Sequence, residues 1–78
     1  MKYDISKYER IRDLRSDKDW SQKEMGQKLG VHQVTYSDYE LGKLNIPTDT
    51  LIKIAKIFNT STDYLLGLTD KTTPYPQK

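Results

Sequence analysis

No cysteine occurs in the 78 residues, so neither a disulfide nor a cysteine-rich zinc site can staple the chain. Histidine is nearly missing as well: His32 stands alone, without the partners a metal ligand set needs. No apolar run approaches the roughly 18–20 residues that cross a bilayer. The segment from Met1 to Arg15 alternates charges with single apolar residues and lacks the apolar stretch of a signal peptide. Strand-like alternation and internal repeats are absent. So are nucleophile–base spacings, a Gly-rich phosphate loop and carboxylates paired across a plausible cleft. A chain this short does not readily enclose a substrate pocket either. The expectation is a cytoplasmic protein that is not an enzyme, with no metal, no cofactor, no membrane span and no evident small-molecule ligand.

An excess of one charge is also missing. Thirteen basic and eleven acidic residues leave a net +2. Between residues 21 and 47, Lys23, Lys28 and Lys43 are balanced by Glu24, Asp38 and Glu40. Composition therefore gives little hint of a polyanionic partner, and the case rests on pattern.

What is present is helical. Hydrophobic residues make up 35% and charged residues 31%, a mixture suited to one small soluble domain stabilised by packed helices. A first helix is expected from about Ser6 to Asp17, with Tyr8, Ile11 and Leu14 at helical spacing. Asp17-Lys18-Asp19 reads as a solvated exit. Ser21-Gln22-Lys23-Glu24 is a capping box: the Ser hydroxyl satisfies an orphan N–H and the Glu reaches back. Met25 and Leu29 follow on one face, and Gly30 ends the helix. A third segment, His32 to Leu41, is closed by Gly42. Thr48 is the expected N-cap of a fourth helix, with the apolar stripe Leu51, Ile54, Ala55 and Phe58, and Asn59 is its C-terminal cap. Ser61 caps a short fifth helix, stopped by Gly67. Residues 1–68 form the domain; residues 69–78 read as a flexible tail or linker.

Several residues have plain structural readings. Tyr8, Tyr36, Tyr39 and Tyr64 lie at core spacing and serve the interior better than a base-stacking platform. Trp20 is read as a lid on the core. Lys53 and Lys56 are read as a solvated face, and His32 as a cap of the third helix or a contact made by its exposed end.

The feature that points to function is a helix, a tight glycine turn and a second helix with a polar outer face. Leu29-Gly30-Val31 is too short to lay two helices side by side, so they cross steeply and the second projects from the body. A helix fits the major groove, where base edges present a distinct donor and acceptor pattern. Gln33, in the exposed first turn, carries an amide that donates and accepts at once, as adenine N6 and N7 require.

The string Ser21-Gln22-Lys23-Glu24-Met25-Gly26-Gln27-Lys28-Leu29-Gly30-Val31, followed by Thr35, Ser37, Tyr39-Glu40 and Gly42, resembles the Cro/C1-type (XRE) helix-turn-helix family. The likeness continues through Pro47, Leu51, Ala55 and Tyr64-Leu65-Leu66-Gly67, covering roughly residues 8–68. It implies an all-α, compact five-helix lambda-repressor-like DNA-binding domain. It also implies residue roles. Gln22 bonds a phosphate and braces the recognition helix. Gln33, Val34 and Asp38 read bases, flanked by His32 and Thr35. Lys43 and Asn45 grip the DNA backbone, and Arg15 and Glu40 form an internal ion pair. The chain departs from the family at Gly26, where Ala is usual, and at Leu41, where a polar residue is. At Tyr36, where Ile is usual, the core must make room for the ring or expose the hydroxyl. Asp38 puts an acid on a face that meets phosphates; it accepts from cytosine N4 or is held by a neighbouring Lys.

The expected function is therefore a transcriptional regulator, a repressor by the family's habit, binding a palindromic double-stranded DNA operator as a homodimer through the helix at about 32–41. The rival is a protein–protein interaction module on the same scaffold, anti-repressor or antitoxin-like, favoured by the neutral charge of residues 21–47 and by Asp38.

Overall fold

The computed structural model describes residues 8–74. It holds five helices, α1 Glu9–Asp17, α2 Gln22–Leu29, α3 Gln33–Glu40, α4 Thr48–Ile57 and α5 Thr62–Leu65, and no strand among the described residues. The expected start of the first helix near Ser6 lies outside the described residues.

Local chemistry places most of the boundaries. Ser21 Oγ accepts from Glu24 N at 3.0 Å and Glu24 Oε1 accepts from Ser21 N at 2.8 Å, so the capping box is complete. Gly30 ends α2 in the left-handed region (φ 72°), a conformation that costs other L-residues about 1 kcal/mol or more. Asn59, at φ 54°, turns the chain after α4, a role that asparagine tolerates better than most side chains. Ser61 Oγ accepts from Tyr64 N at 3.0 Å and starts α5.

Three caps differ from the expectation. Phe58, not Asn59, is the C-cap of α4, and Asn59 lies one residue beyond it. Pro47 is the N-cap of α4, and Thr48 is already helical with no side-chain cap bond. The fixed φ of proline, here −56° with extended ψ, sets up the first turn one residue earlier. His32 holds the N-cap position of α3 by its extended backbone, but its side chain makes no cap bond. The helix proper thus begins at Gln33, and Leu41 is its C-cap.

The core gathers Tyr8 and Ile11 from the α1 end, Met25 and Leu29 from α2, Tyr36 and Tyr39 from α3, Ile54 and Ala55 from α4, and Leu65 from α5. Ile46, in the loop before α4, is also buried, and its N–H donates to the Tyr8 hydroxyl at 3.1 Å. Trp20 packs half-buried over the edge of this core, its ring centroid 5.6 Å from that of Phe58, with Lys28 Nζ 4.2 Å from the indole centroid. Arg10 ties the two ends of the domain together. Its guanidinium donates to the carbonyls of Tyr64 and Thr69, pairs with Asp70 at 2.7 Å and lies 4.3 Å from the Tyr64 ring centroid.

Candidate nucleic-acid interface

The turn between α2 and α3 is built by two glycines with different tasks. Gly30 supplies the left-handed turn. Gly26 supplies the close approach: a Cβ there would stand 3.0 Å from the Val31 carbonyl oxygen and 3.5 Å from Gln33 N and Cα. Val31 N donates to Gly26 O at 2.9 Å, so the turn folds directly back onto α2. The result seats the beginning of α3 against the middle of α2 and leaves the outer side of α3 open.

Behind that open face lies a buried polar cluster. Arg15 on α1 donates Nε to Glu40 Oε2 at 2.6 Å and Nη2 to Glu40 Oε1 at 3.2 Å. Arg15 Nη1 donates to the Trp20 carbonyl at 2.7 Å. Tyr36, one turn earlier on α3, is fully buried and donates its hydroxyl to Glu40 Oε2. That answers the choice left open for Tyr36: the ring is accommodated and the hydroxyl finds a partner inside. Gln22, the first residue of α2, donates Nε2 to Glu40 Oε1 at 3.1 Å. Three helices therefore meet on one carboxylate.

The titration behaviour follows from that geometry. Burial pushes the Glu40 pKa up, but hydrogen bonds from Arg15, Tyr36 and Gln22 outweigh it and hold the carboxyl below its ordinary value. The bond to Glu40 raises the Arg15 pKa against its own desolvation. Burial, reinforced by the bond to Glu40, pushes the Tyr36 phenol up. At neutral pH the cluster is an ionised pair closed by two neutral donors.

The remaining residues singled out in the sequence divide by exposure. His32, Gln33 and Val34 are exposed at the start of α3, Val34 at 72%. Thr35 and Asp38 are half-buried on the same helix. Among the described residues no ion pair reaches the Asp38 carboxylate, so the neighbouring lysine weighed as its partner does not hold it. Lys43 and Asn45 are exposed in the following loop, which is anchored by Lys43 N donating to Asp38 O at 2.9 Å. Arg15 and Glu40 contribute nothing to this surface. Sequence reasoning missed Arg10 and the burial of Ile46; their partners lie 38 or more residues away along the chain.

Among the described residues no group of His, Cys, Asp or Glu side chains could hold a metal ion, and no helix is long and apolar enough to cross a membrane. The helix-turn-helix family profile matches residues 11–65. Similar proteins occur in Bacillus subtilis (strain 168). The HTH-type transcriptional regulator ImmR is 40% identical over 58 residues, covering 74% of this chain and 46% of that protein. The uncharacterized HTH-type transcriptional regulator YobD is 33% identical over 66 residues, 85% of this chain and 59% of the relative. The HTH-type transcriptional regulator AnsR is 33% identical over 69 residues, 88% of this chain and 60% of the relative. The chain thus spans about half the length of the curated relatives it matches. No solved structure matches it significantly.

Proposed function

Because the chain belongs to the Cro/C1-type (XRE) helix-turn-helix family, we propose that it is a sequence-specific DNA-binding transcriptional regulator. In this reading α3 enters the major groove of a palindromic operator and the bound protein represses transcription. The observation that carries the reading is the unburied first turn of α3, Gln33 and Val34, projected from a turn locked by Gly26 and Gly30 and braced from behind by the Glu40 cluster. Gln33 reads a base edge, and Val34 supplies an apolar surface of the kind that meets a thymine methyl. Asp38 accepts from a cytosine N4 amine. Gln22, Lys43 and Asn45 meet the phosphates and fix the register, with His32 and Thr35 alongside.

One recognition helix reads only a few base pairs, and a two-fold dimer reads half-sites roughly 34 Å apart. Leu66 and Leu68, 39% and 73% exposed, offer apolar surface for a second copy in the segment that Arg10 fastens to α1. Selection of bound duplexes from a random pool tests the reading, followed by binding at two salt concentrations and sedimentation of the complex. Enrichment of a palindrome, affinity that falls steeply with salt and two chains per duplex are expected. An absence of salt-sensitive DNA binding would favour a protein partner on the same face, a role to which Asp38, in no ion pair among the described residues, and the exposed Val34 are also suited.

A further inference from the structure

Glu40 occupies an unfavourable place for its charge. It is the last residue of α3, where the helix dipole repels a carboxylate, and its side chain is only 4% exposed. Each oxygen is satisfied by two donors: Oε2 by Arg15 Nε and the Tyr36 hydroxyl, Oε1 by Arg15 Nη2 and Gln22 Nε2. An ionised carboxylate only accepts. Gln22 must therefore turn its NH2 toward Glu40, and the choice between the two flipped states of its amide is made. One N–H is used inside; the other N–H and the carbonyl oxygen remain for a partner at the N-terminus of α2.

The carboxylate can impose this only if it is itself held. Arg15 holds it from the α1 side. From within α3 the holder is Tyr36, four residues earlier on the same helix face. Phenylalanine would fill most of the same space without a polar atom, and isoleucine is the usual residue of the family here. The hydroxyl, which neither of those residues carries, is thus what reaches Glu40 Oε2 from within α3.

We infer that the Tyr36 hydroxyl is a positioning residue for DNA binding: through Glu40 it fixes the orientation of the Gln22 amide that meets the phosphate. This rests on the proposed reading of Gln22 as a phosphate contact. Without the hydroxyl, Glu40 Oε2 keeps one donor, and the carboxylate, still held at both oxygens by Arg15, can tilt about the short Nε bond and lengthen its contacts at Oε1. Oε1 then leaves Gln22, and the amide samples both flips.

The test is a double-mutant cycle on the binding of a duplex selected by the wild-type protein, with Tyr36→Phe, Gln22→Ala and the double variant, at a temperature where all are folded. Loss of one hydrogen-bond equivalent predicts affinity about 3- to 10-fold weaker for Tyr36→Phe. If Tyr36 acts through Gln22, the double variant binds within about 2-fold of Gln22→Ala alone. A purely structural role gives losses that multiply, and that result overturns the proposal. Tyr36→Ile repeats the cycle should the phenylalanine variant not fold. Nuclear spin relaxation of the Gln22 side-chain amide in the free domain gives a readout that needs no DNA. An ordered amide in the wild type and a mobile one in Tyr36→Phe are expected, and equal order in both overturns the positioning argument even where DNA binding stands. A wild-type domain with an ordered Gln22 amide that selects no duplex overturns the DNA reading instead, and the functional part of this proposal with it.

Discussion

Replacing Arg15 by methionine keeps much of the side chain's apolar length, removes its charge and strands Glu40. Breaking a buried ion pair by removing one partner costs about 3–5 kcal/mol, and the geometry here argues for the lower half of that range. Tyr36 and Gln22 still donate to the carboxylate after the substitution. The carboxylate can also escape by taking up a proton, which sets a ceiling on the penalty. At about 1.36 kcal/mol per pH unit, neutralising a glutamate of ordinary pKa ~4.3 at pH 7 costs about 3.7 kcal/mol. The Trp20 carbonyl loses its 2.7 Å bond from Arg15 Nη1 as well, worth about 1 kcal/mol. A loss of about 3–4 kcal/mol is a large part of the stability of so small a domain. At ~4–8 °C per kcal/mol it lowers Tm by at least about 12 °C.

The pH dependence makes this prediction specific to the pair. In the wild type the folded-state pKa of Glu40 is depressed. Its contribution to stability is therefore present above the unfolded carboxyl value and fades as pH falls through the depressed one. In Arg15→Met the largest influence lowering that pKa, the Arg15 hydrogen bond, is gone while burial and the bonds from Tyr36 and Gln22 remain, so the folded pKa rises from its depressed value. The variant then recovers relative to the wild type on acidification, because the ceiling shrinks to about 1 kcal/mol at pH 5. Urea unfolding followed by the fluorescence of Trp20 at pH 5, 6, 7 and 8 measures the difference directly. The reasoning fails if Arg15→Met lies within about 0.5 kcal/mol of the wild type at pH 7, or if the loss is equally large at pH 5.

Features written in a few consecutive residues were legible in the sequence. The capping box at Ser21 and Glu24, the left-handed Gly30, the turn at Asn59 and the Ser61 cap each depend on side chains and backbone within one turn of each other. The Thr48 expectation missed by one residue because both Pro47 and Thr48 suit a helix start, and the proline's fixed φ decided the matter. Contacts between distant segments had no such signature. Arg10 is one of thirteen basic residues, and nothing beside it in the sequence announces partners at Tyr64, Thr69 and Asp70.

The charge count was misleading for a physical reason. It set Glu40 against the lysines of residues 21–47, yet Glu40 faces inward and is compensated by Arg15, outside that window. Glu24 in turn is engaged with the Ser21 backbone. Lys23, Lys28 and Lys43 remain exposed there, against Glu24 and the half-buried Asp38 as acids. A sum of zero along the chain is therefore a modestly positive surface in space. Tyr36 shows the same limit at a single residue. Its spacing placed the ring in the core, but whether the hydroxyl could follow depended on the arrangement of a carboxylate shared by three helices.

Ser21→Ala removes the hydroxyl from the capping box and is expected to cost about 1 kcal/mol in urea unfolding; no loss would mean that α2 starts without it. On a selected operator, Gln33→Ala is expected to lose about 1–3 kcal/mol and relax preference at one base pair, while Lys43→Ala weakens all sequences alike and lowers the salt slope by about one. The reverse pattern across single-base variants would mean that α3 lies in the groove the other way. Gly26 tests how α2 and α3 meet. Alanine gains about 1 kcal/mol of helix propensity, but its Cβ would meet the Val31 carbonyl oxygen at 3.0 Å, a backbone atom that must yield by a few tenths of an ångström. The other neighbours, Gln33 N and Cα at 3.5 Å, are in ordinary contact. The two effects nearly cancel, so Gly26→Ala is expected within about 1 kcal/mol of the wild type. Leucine has the same first contact and must also place its branch between α2 and the start of α3. It should cost about 1–3 kcal/mol through overpacking and shift the amide resonances of Val31 to Gln33. A Gly26→Leu domain as stable as the wild type, with those resonances unmoved, would show that the helices do not approach each other at Gly26 and that the turn owes its shape to Gly30 alone.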